Sequence, residues 1–573
     1  MNNYVYQPLI YKDQIRILTL MPGSDRDAIE GTLDFLRLPS KAVPKKRSAR
    51  FAWTYGHNQT GKERIVHTNQ QGAPTVVHVP TYTYYCNRKG QTSRTYDALS
   101  YAWGDPEQVE EILVDGKKLG TARNLHTGLL RLRHPKERRR LWIDAICINQ
   151  SDNHERNHQV SMMQKVYSAA ASVVIWLGDP TADVGLTLDM ILDYNNPKKK
   201  GNIFSYKHDA LRGLRKLFQE TWWRRIWIVQ EVVAARALVI VLGRTTFPWF
   251  YLRRICSTII QLEFTNHALA PLLRSCSFQK FRDLDSFRAA GAMPVMRLLR
   301  STHDYHATDP CDKLYALLGM TSDISAQDLA PDYNRPVCKV FQDLVHFMAI
   351  RRGNLDLICL RQCLGPYQFQ SWLPSWQAEA GIKLFGRKVR SYHAAGDTQA
   401  VVDMSQFPRT LIAEGIIADT VAMLGGSVTI AHKCASTIQR WRHLATQAKK
   451  CSYDDFLKLI GAGVDSPGFE AFLEHPRRAY PRVAQKRCHA ITRTTMGRCF
   501  FTTKDGRLGL CPAKVQKDDT IAVLKGCHAP IIIRARQDHW VIVGEAYVVG
   551  MMSGEVLSGS QIGSYRPIMI PLK

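Results

Sequence analysis

The sequence predicts an α/β protein: a parallel sheet flanked by helices, followed by a mainly helical region and a small antiparallel β domain at the C-terminus. Three observations carry this. Residues 141–180 read as an apolar run, an amphipathic helix and a second apolar run, and two parallel strands joined in this way need a crossover helix. Beyond residue 248 apolar residues recur at helical spacing, as in Leu252, Ile255 and Ile259. From Phe500 to Met552 short β-branched runs alternate with Gly-rich turns, the pattern of a small barrel or meander.

The central unit sets the architecture. Leu141-Trp142-Ile143 breaks at Asp144, resumes over Ala145 to Ile148 and stops at Asn149-Gln150, which predicts a buried strand with an acid at its end. Asp152 stands three residues before Glu155, the spacing at which each side chain accepts from the other's backbone N–H in a capping box. The helix starting there buries Val160, Met163, Val166, Tyr167 and Ala170, and leaves Glu155, Arg156, Gln159 and Lys165 in water. Residues 173–177 form the second strand, closed by Gly178-Asp179-Pro180. The polar group from Asp144 to Gln150 then falls on the carboxyl edge of the sheet, where open α/β folds take ligands.

The remaining elements follow in order. Ile15 to Leu20 is a strand in an N-terminal segment, 1–38, and residues 39–80 are a basic, aperiodic insertion or linker. Within it Gly56 to Lys62 matches most of a phosphate loop, yet Glu63 replaces the Ser or Thr that would hold magnesium, so the match is rejected. Residues 96–106 form a strand ending in a turn, and Ile112-Leu113-Val114 before Asp115-Gly116 predicts half of a hairpin. Asn124 caps a helix with Leu125, Leu129 and Leu132 on its buried face. The principal α/β domain spans 96–235, a helical extension 236–400, and a C-terminal α+β region 401–573, β-rich over 498–552. Residues 355–359 read as a strand, and Asp309 to Gly319 as a capped helix.

Composition narrows the function classes. A chain of 573 residues exceeds one core. No apolar run reaches spanning length and no leader pattern opens the chain, so a cytoplasmic or nuclear protein with reduced thiols is expected. The 14 cysteines are scattered: the nearest pair, Cys359 and Cys363, has no second pair or His partner at zinc spacing, so no metal site and no resident cofactor are expected. The net charge of +27 raises nucleic acid as a partner. Ten Lys or Arg stand between Lys41 and Arg94 against the single acid Glu63, and further runs occupy 138–140 and 198–200. Such runs in loops are read as solvated surface in preference to a nucleic-acid footprint.

Candidate chemistry gathers around Glu231. In the segment 222–233, WWRRIWIVQEVV, a helix brings Trp223, Trp227 and Gln230 near one face and makes Trp227 a neighbour of Glu231. A carboxylate against indole is desolvated and its pKa rises; alternatively Glu231 pairs with Arg224 or Arg225 as a helix salt bridge. Asp144 either orients ribose hydroxyls or caps the backbone at Asn149-Gln150. Asn149, Gln150 and Arg156 either touch a phosphate or fix their loop. Trp103 and Trp176 are read as core.

These motifs resemble the heterokaryon-incompatibility (HET) domain proteins of filamentous fungi: YDALSYAWGDP at 96–106, LWIDAICINQ at 141–150 with Glu155, Arg156, Gln159, Val160 and Met163, then 174–178, 227–231 and 309–319. The resemblance implies an effector of non-self recognition that ends in growth arrest or cell death, assembling with its own kind when an unidentified protein triggers it. The HET domain is in turn similar to the Toll/interleukin-1 receptor (TIR) domain, so a TIR-like parallel sheet is implied. In TIR enzymes a Trp-Cys-x-x-Glu segment supplies the glutamate that cleaves the nicotinamide–ribose bond of NAD. Trp227 to Glu231 keeps the Trp and Glu spacing, with Ile228 at the Cys position. The resemblance therefore implies NAD as substrate and Glu231 as catalytic carboxylate, with Trp227 beside it; Asp144, Asn149 and Gln150, at the sheet's edge, are the other candidate binding residues. Two other readings stand beside it: a non-enzymatic homotypic docking module, and a nucleic-acid binder driven by charge.

Overall fold

The structure, a computed structural model, describes residues 3–39, 57–68, 74–84, 95–105, 107–196, 208–261, 276–325, 327–360, 370–374, 392–428, 434–462, 490–492, 494–561 and 565–573, with isolated positions between. Gly56, the basic run 198–200 and Cys363 lie outside them. The chain divides into two units: Met1–Val295 with Tyr305–Asn334, and Met296–Asp304 with Arg335–Lys573.

The first unit is built on a nine-stranded sheet. Its strands are β1 (Gln14–Leu20), β2 (Glu30–Arg37), β5 (Asp97–Tyr101), β6 (Val109–Val114), β7 (Lys117–Ala122), β8 (Arg139–Trp142), β9 (Ser172–Trp176), β10 (Leu238–Leu242) and β11 (Thr245–Pro248). β3 (His57–Thr68) and β4 (Pro74–Tyr84) pair separately as an antiparallel hairpin that begins in the segment 39–80, read as aperiodic, and runs four residues past it. In the large sheet β8, β5, β9 and β10 lie side by side and parallel. Every residue of β5 and β9 is buried, as expected for strands covered on both faces.

The parallel sheet expected from the sequence forms the centre, and antiparallel strands extend it at both flanks. β1 runs antiparallel to β8, β2 antiparallel to β1 and β7 antiparallel to β6, while β11 folds back on β10. Crossovers build the centre and hairpins extend it. The β6–β7 turn takes the predicted form, with Asp115 at φ 51° and Gly116 at φ 74°. The sheet also reaches past both ends of the 96–235 segment, through β1, β2, β10 and β11.

Helices pin the sheet's carboxyl edge. α1 (Arg123–Leu132) buries Leu125, Leu129 and Leu132 as expected, but Ala122 occupies its cap. Asn124 instead donates to the Ala102 carbonyl and accepts from Trp176 Nε1 at 3.1 Å, tying the ends of β5 and β9 together. β8 stops at Trp142, and the apolar residues after Asp144 coil into the single turn α2 (Asp144–Cys147), correcting the expectation of one continued strand. α3 (Asn153–Ala169) begins at Asp152, whose carboxylate accepts from His154 N and Glu155 N.

The reciprocal half of that cap is absent, because Glu155 turns inward. It accepts from Arg16 at 2.5 and 2.9 Å and from Asn149 N at 2.7 Å, and both charged side chains are buried. Gln159 is also buried, donating to the Gln14 carbonyl at 3.0 Å. Two of the four positions expected in water therefore fasten α3 to β1. The apolar face, Val160, Met163, Val166, Tyr167 and Ala170, is buried as expected. α4 (Ala182–Asn195) and α5 (His208–Leu217) follow. The segment expected as one helix over 222–233 is a 3₁₀ turn, Thr221–Arg224, and a separate α6 (Ile228–Ala234). α7 (Trp249–Gln261) then follows β11.

In the second unit the helix Val337–Arg352 leads into a 3₁₀ turn, Asp356–Leu360, where a strand was expected. The long strand Leu411–Ser427 pairs with Ile568–Leu572 and with Thr520–Leu524. The strands Ile531–Ala535 and Trp540–Glu545 complete the ring, which closes as a five-stranded barrel. Register shifts after Ile417, Val421 and Leu424 bend the long strand so that its second half carries Arg498–Thr503 and Leu508–Pro512. The small C-terminal β domain expected from the sequence is thus a barrel with a side sheet. No helix among the described residues is long and apolar enough to cross a membrane.

Candidate functional site

The carboxyl ends of β5 and β8 and the first turn of α6 meet in a buried polar cluster. Glu231, 1% exposed, accepts a short hydrogen bond from Ser100 Oγ on β5. Ser100 Oγ itself accepts from Trp222 Nε1 at 2.8 Å. Arg225 lies 3.8 Å from the second Glu231 oxygen and donates to the Tyr101 carbonyl. Burial drives the Glu231 pKa up to about 7; Arg225 and Ser100 pull it down, and the nearby Asp144 carboxylate pushes it further up. Burial opposes the charge on Arg225, but the fields of Glu231 and Asp144 outweigh it and hold its pKa above the ordinary value. The Tyr101 and Tyr167 hydroxyls are held neutral by burial and by the same two acids.

Local packing explains how α6 delivers this acid. Trp223 donates to the Leu217 carbonyl at 2.9 Å and lies against Phe218, Trp249 and Phe281. That aromatic block holds the 3₁₀ turn. The loop before α6 is bracketed by backbone bonds between Ile226 N and His306 O, and between His306 N and Arg224 O. All seven residues of α6 are buried, so Glu231 has little room to turn away.

Asp144 opens α2 at the carboxyl end of β8. Its Oδ1 accepts from Ala145 N at 2.8 Å and its Oδ2 from Trp103 Nε1 at 3.0 Å. Trp103 is 45% exposed, which corrects its reading as core, whereas Trp176 is buried as expected. Asn149 and Gln150 hold the loop: Asn149 N donates to Glu155, its Oδ1 accepts from Ser151 N, and Gln150 donates to the Asp144 carbonyl at 2.9 Å.

Trp227 is directed elsewhere. Its Nε1 donates to Asp312 Oδ2 at 3.0 Å, and Tyr333 donates to Asp312 Oδ1 at 2.6 Å. Arg156 stacks on Tyr333 at 3.5 Å and reaches Asp309 at 3.4 Å. Burial pushes Asp312 up to about 6, against the two bonds it accepts. The indole that reaches Glu231, through Ser100, is that of Trp222.

Comparison with known proteins follows the same division. Residues 96–231 match the family described as Heterokaryon incompatibility protein (HET), and residues 408–562 the Het-6 beta-barrel domain. The chain is a HET-domain protein. It is 23% identical to Heterokaryon incompatibility protein 6, OR allele, of Neurospora crassa, over 81% of this chain and 90% of that one. No solved structure matches it.

Within the HET domain, then, two of the five expected site residues, Glu231 and Asp144, share one cluster. Asn149 and Gln150 brace its rim, and Trp227 belongs to the neighbouring Asp312 cluster. Sequence reasoning missed Ser100, Trp222 and Trp103. Ser100 had one available signal, a small hydroxyl directly after the apolar pair Ala98-Leu99 that must find a partner when buried.

Proposed function

We propose that this HET-domain protein acts in fungal heterokaryon incompatibility, and that its α/β domain hydrolyses NAD at the nicotinamide–ribose bond with Glu231 as the catalytic carboxylate. The observation that carries the reading is a carboxylate with a pKa of about 7, buried at the carboxyl edge of a parallel sheet beside a second acid. Breaking the C–N bond builds positive charge on the ribose, and an ionised Glu231 opposite that charge stabilises it. Water completes the ribose carbon and nicotinamide leaves with the bonding pair. In this reading Asp144, bonded by Trp103 at 3.0 Å, orients ribose hydroxyls. Homotypic assembly would shift the helix and strand ends that now enclose the acid.

One observation favours a second reading, a non-enzymatic docking module: Glu231 is enclosed, bonded by Ser100 and faced by Arg225. The two separate in one experiment. Assembled full-length protein is incubated with NAD, and viability and NAD content are followed on inducible expression, for wild type and Glu231→Gln. The enzymatic reading expects turnover and toxicity in wild type and loss of both in the variant. Toxicity without NAD loss, unchanged in Glu231→Gln, establishes the docking reading instead.

A further inference from the structure

The barrel-bearing unit holds a cluster that this chemistry does not use. Gly353, at φ 57°, ends the helix Val337–Arg352, and the 3₁₀ turn Asp356–Leu360 follows. Side chains three apart eclipse in a 3₁₀ turn, so Asp356 and Cys359 project to one side. The turn leaving strand Thr520–Leu524 comes to meet them: Leu355 N donates to Gly526 O at 3.0 Å, and His528 N to Asp356 Oδ1 at 2.8 Å. That contact delivers Cys527. One carboxylate oxygen of Asp356 and the sulfurs of Cys359 and Cys527 lie within 4.8 Å of one another, and both cysteines are buried.

We propose that Asp356, Cys359 and Cys527 form a binding site for a thiophilic divalent metal ion of the zinc type. Two thiolates and a carboxylate are a zinc donor set, and bonds of about 2.3 Å to sulfur and about 2.1 Å to oxygen set ligand atoms roughly 3.5–4 Å apart. Small side-chain rotations close the observed spacing onto an ion. Without a cation, ionising these groups would bury mutually repelling charges, whereas an ion makes all three attractive.

The carboxylate is oriented as metal ligands are. Asp356 Oδ1 accepts from His528 N and His528 Nδ1, and Oδ2 accepts from Asn354 at 3.1 Å. A carboxylate has about four lone-pair sites, which leaves one for the ion. Arg300 approaches His528 Nε2 at 2.9 Å, and since a guanidinium only donates, Nε2 accepts and Nδ1 carries the proton given to Asp356. Glu545 holds Arg300 in turn, at 3.1 Å. His528 therefore supports the ligand from outside the coordination sphere, and among the described residues no fourth donor joins the three.

The test uses untagged full-length protein from zinc-supplemented cells, with metal content measured by mass spectrometry and the ion exchanged for cobalt. The expected result is one zinc per chain, a cobalt–thiolate charge-transfer band with the intensity of two sulfurs, and intense d–d bands of four-coordination. Metal should be lost in Cys359→Ser/Cys527→Ser and kept in Cys434→Ser, a buried thiol outside the cluster. Folded wild type without metal, equal metal in the double variant, or a Cys359–Cys527 disulfide in a non-reducing peptide map would each overturn the site. Should the double variant fail to fold, the wild-type cobalt spectrum decides: an absent thiolate band rejects the proposal.

Discussion

Glu231 shows what a single burial does to an ordinary acid. Its folded-state pKa, raised by burial from 4.5 to about 7, means that the folded protein holds a proton the unfolded chain has released. The stability associated with that proton is complete below about pH 4.5 and is lost as pH rises through 7, on the order of 3 kcal/mol in all. Thermal melts across this window should fall more steeply with pH in wild type than in Glu231→Gln, with Asp312→Asn removing the smaller share due to that second raised acid. Ser100→Ala strands the Trp222 indole N–H and removes one of the bonds to Glu231 in a dry interior, which should cost about 1–3 kcal/mol in denaturant unfolding. The acids themselves were legible from the sequence, as a break in an apolar run and as a carboxylate amid tryptophans. Their partners were not. Ser100 and Glu231 are 131 residues apart, and no local pattern encodes which indole reaches them. Trp103 was misread because tryptophan is buried on average, and an average says nothing of the one that ends a strand at the sheet's rim.

At the scale of elements, α3 is held to β1 by a charge where a sequence pattern foresees only apolar packing. Arg16 and Glu155 are both buried, so removing one partner leaves the other charged and unpaired. Arg16→Met and Glu155→Leu should each destabilise by about 3–5 kcal/mol, while the double variant should recover most of that loss. A thermodynamic cycle on urea midpoints checks this; purely additive losses would show that the pair does not act as a unit. The same contrast explains which elements the sequence made legible. β9 and β10 are nearly unbroken apolar runs, and burial makes such runs conspicuous, while β1 and β5 show through the apolar residues around Arg16, Thr19 and Ser100. The antiparallel flanks were hidden because pairing partners are chosen across the fold and leave no period in the chain. Residues 145–148 were as apolar as a strand, yet Asp144 accepts its neighbour's N–H and starts a helical turn, so local capping overrode the pattern.

Over the whole molecule the charge of +27 divides into cations that build the fold and cations that do not. Arg139 lies in β8, 3.5 Å from Asp97, which corrects its placement in a basic loop. Arg133 donates to the carbonyls of Ala28, Ser24 and Asp27, Arg16 is buried with Glu155, and Arg225 faces Glu231. A guanidinium committed to an interior carbonyl or carboxylate cannot neutralise a phosphate. Beside these stand the ten basic residues between Lys41 and Arg94, spread over one stretch of sequence with Glu63 as its single acid. Such a segment attracts phosphate through counterion release alone, without reading bases. Titration of full-length protein against labelled duplexes of different sequence, and against single-stranded RNA, should therefore give weak, interchangeable affinities. Those affinities should fall roughly a thousandfold between low and physiological salt if several phosphates are engaged. An affinity that survives physiological salt and distinguishes one sequence from another would require an ordered reading surface, and would return nucleic acid to the front of the functional alternatives.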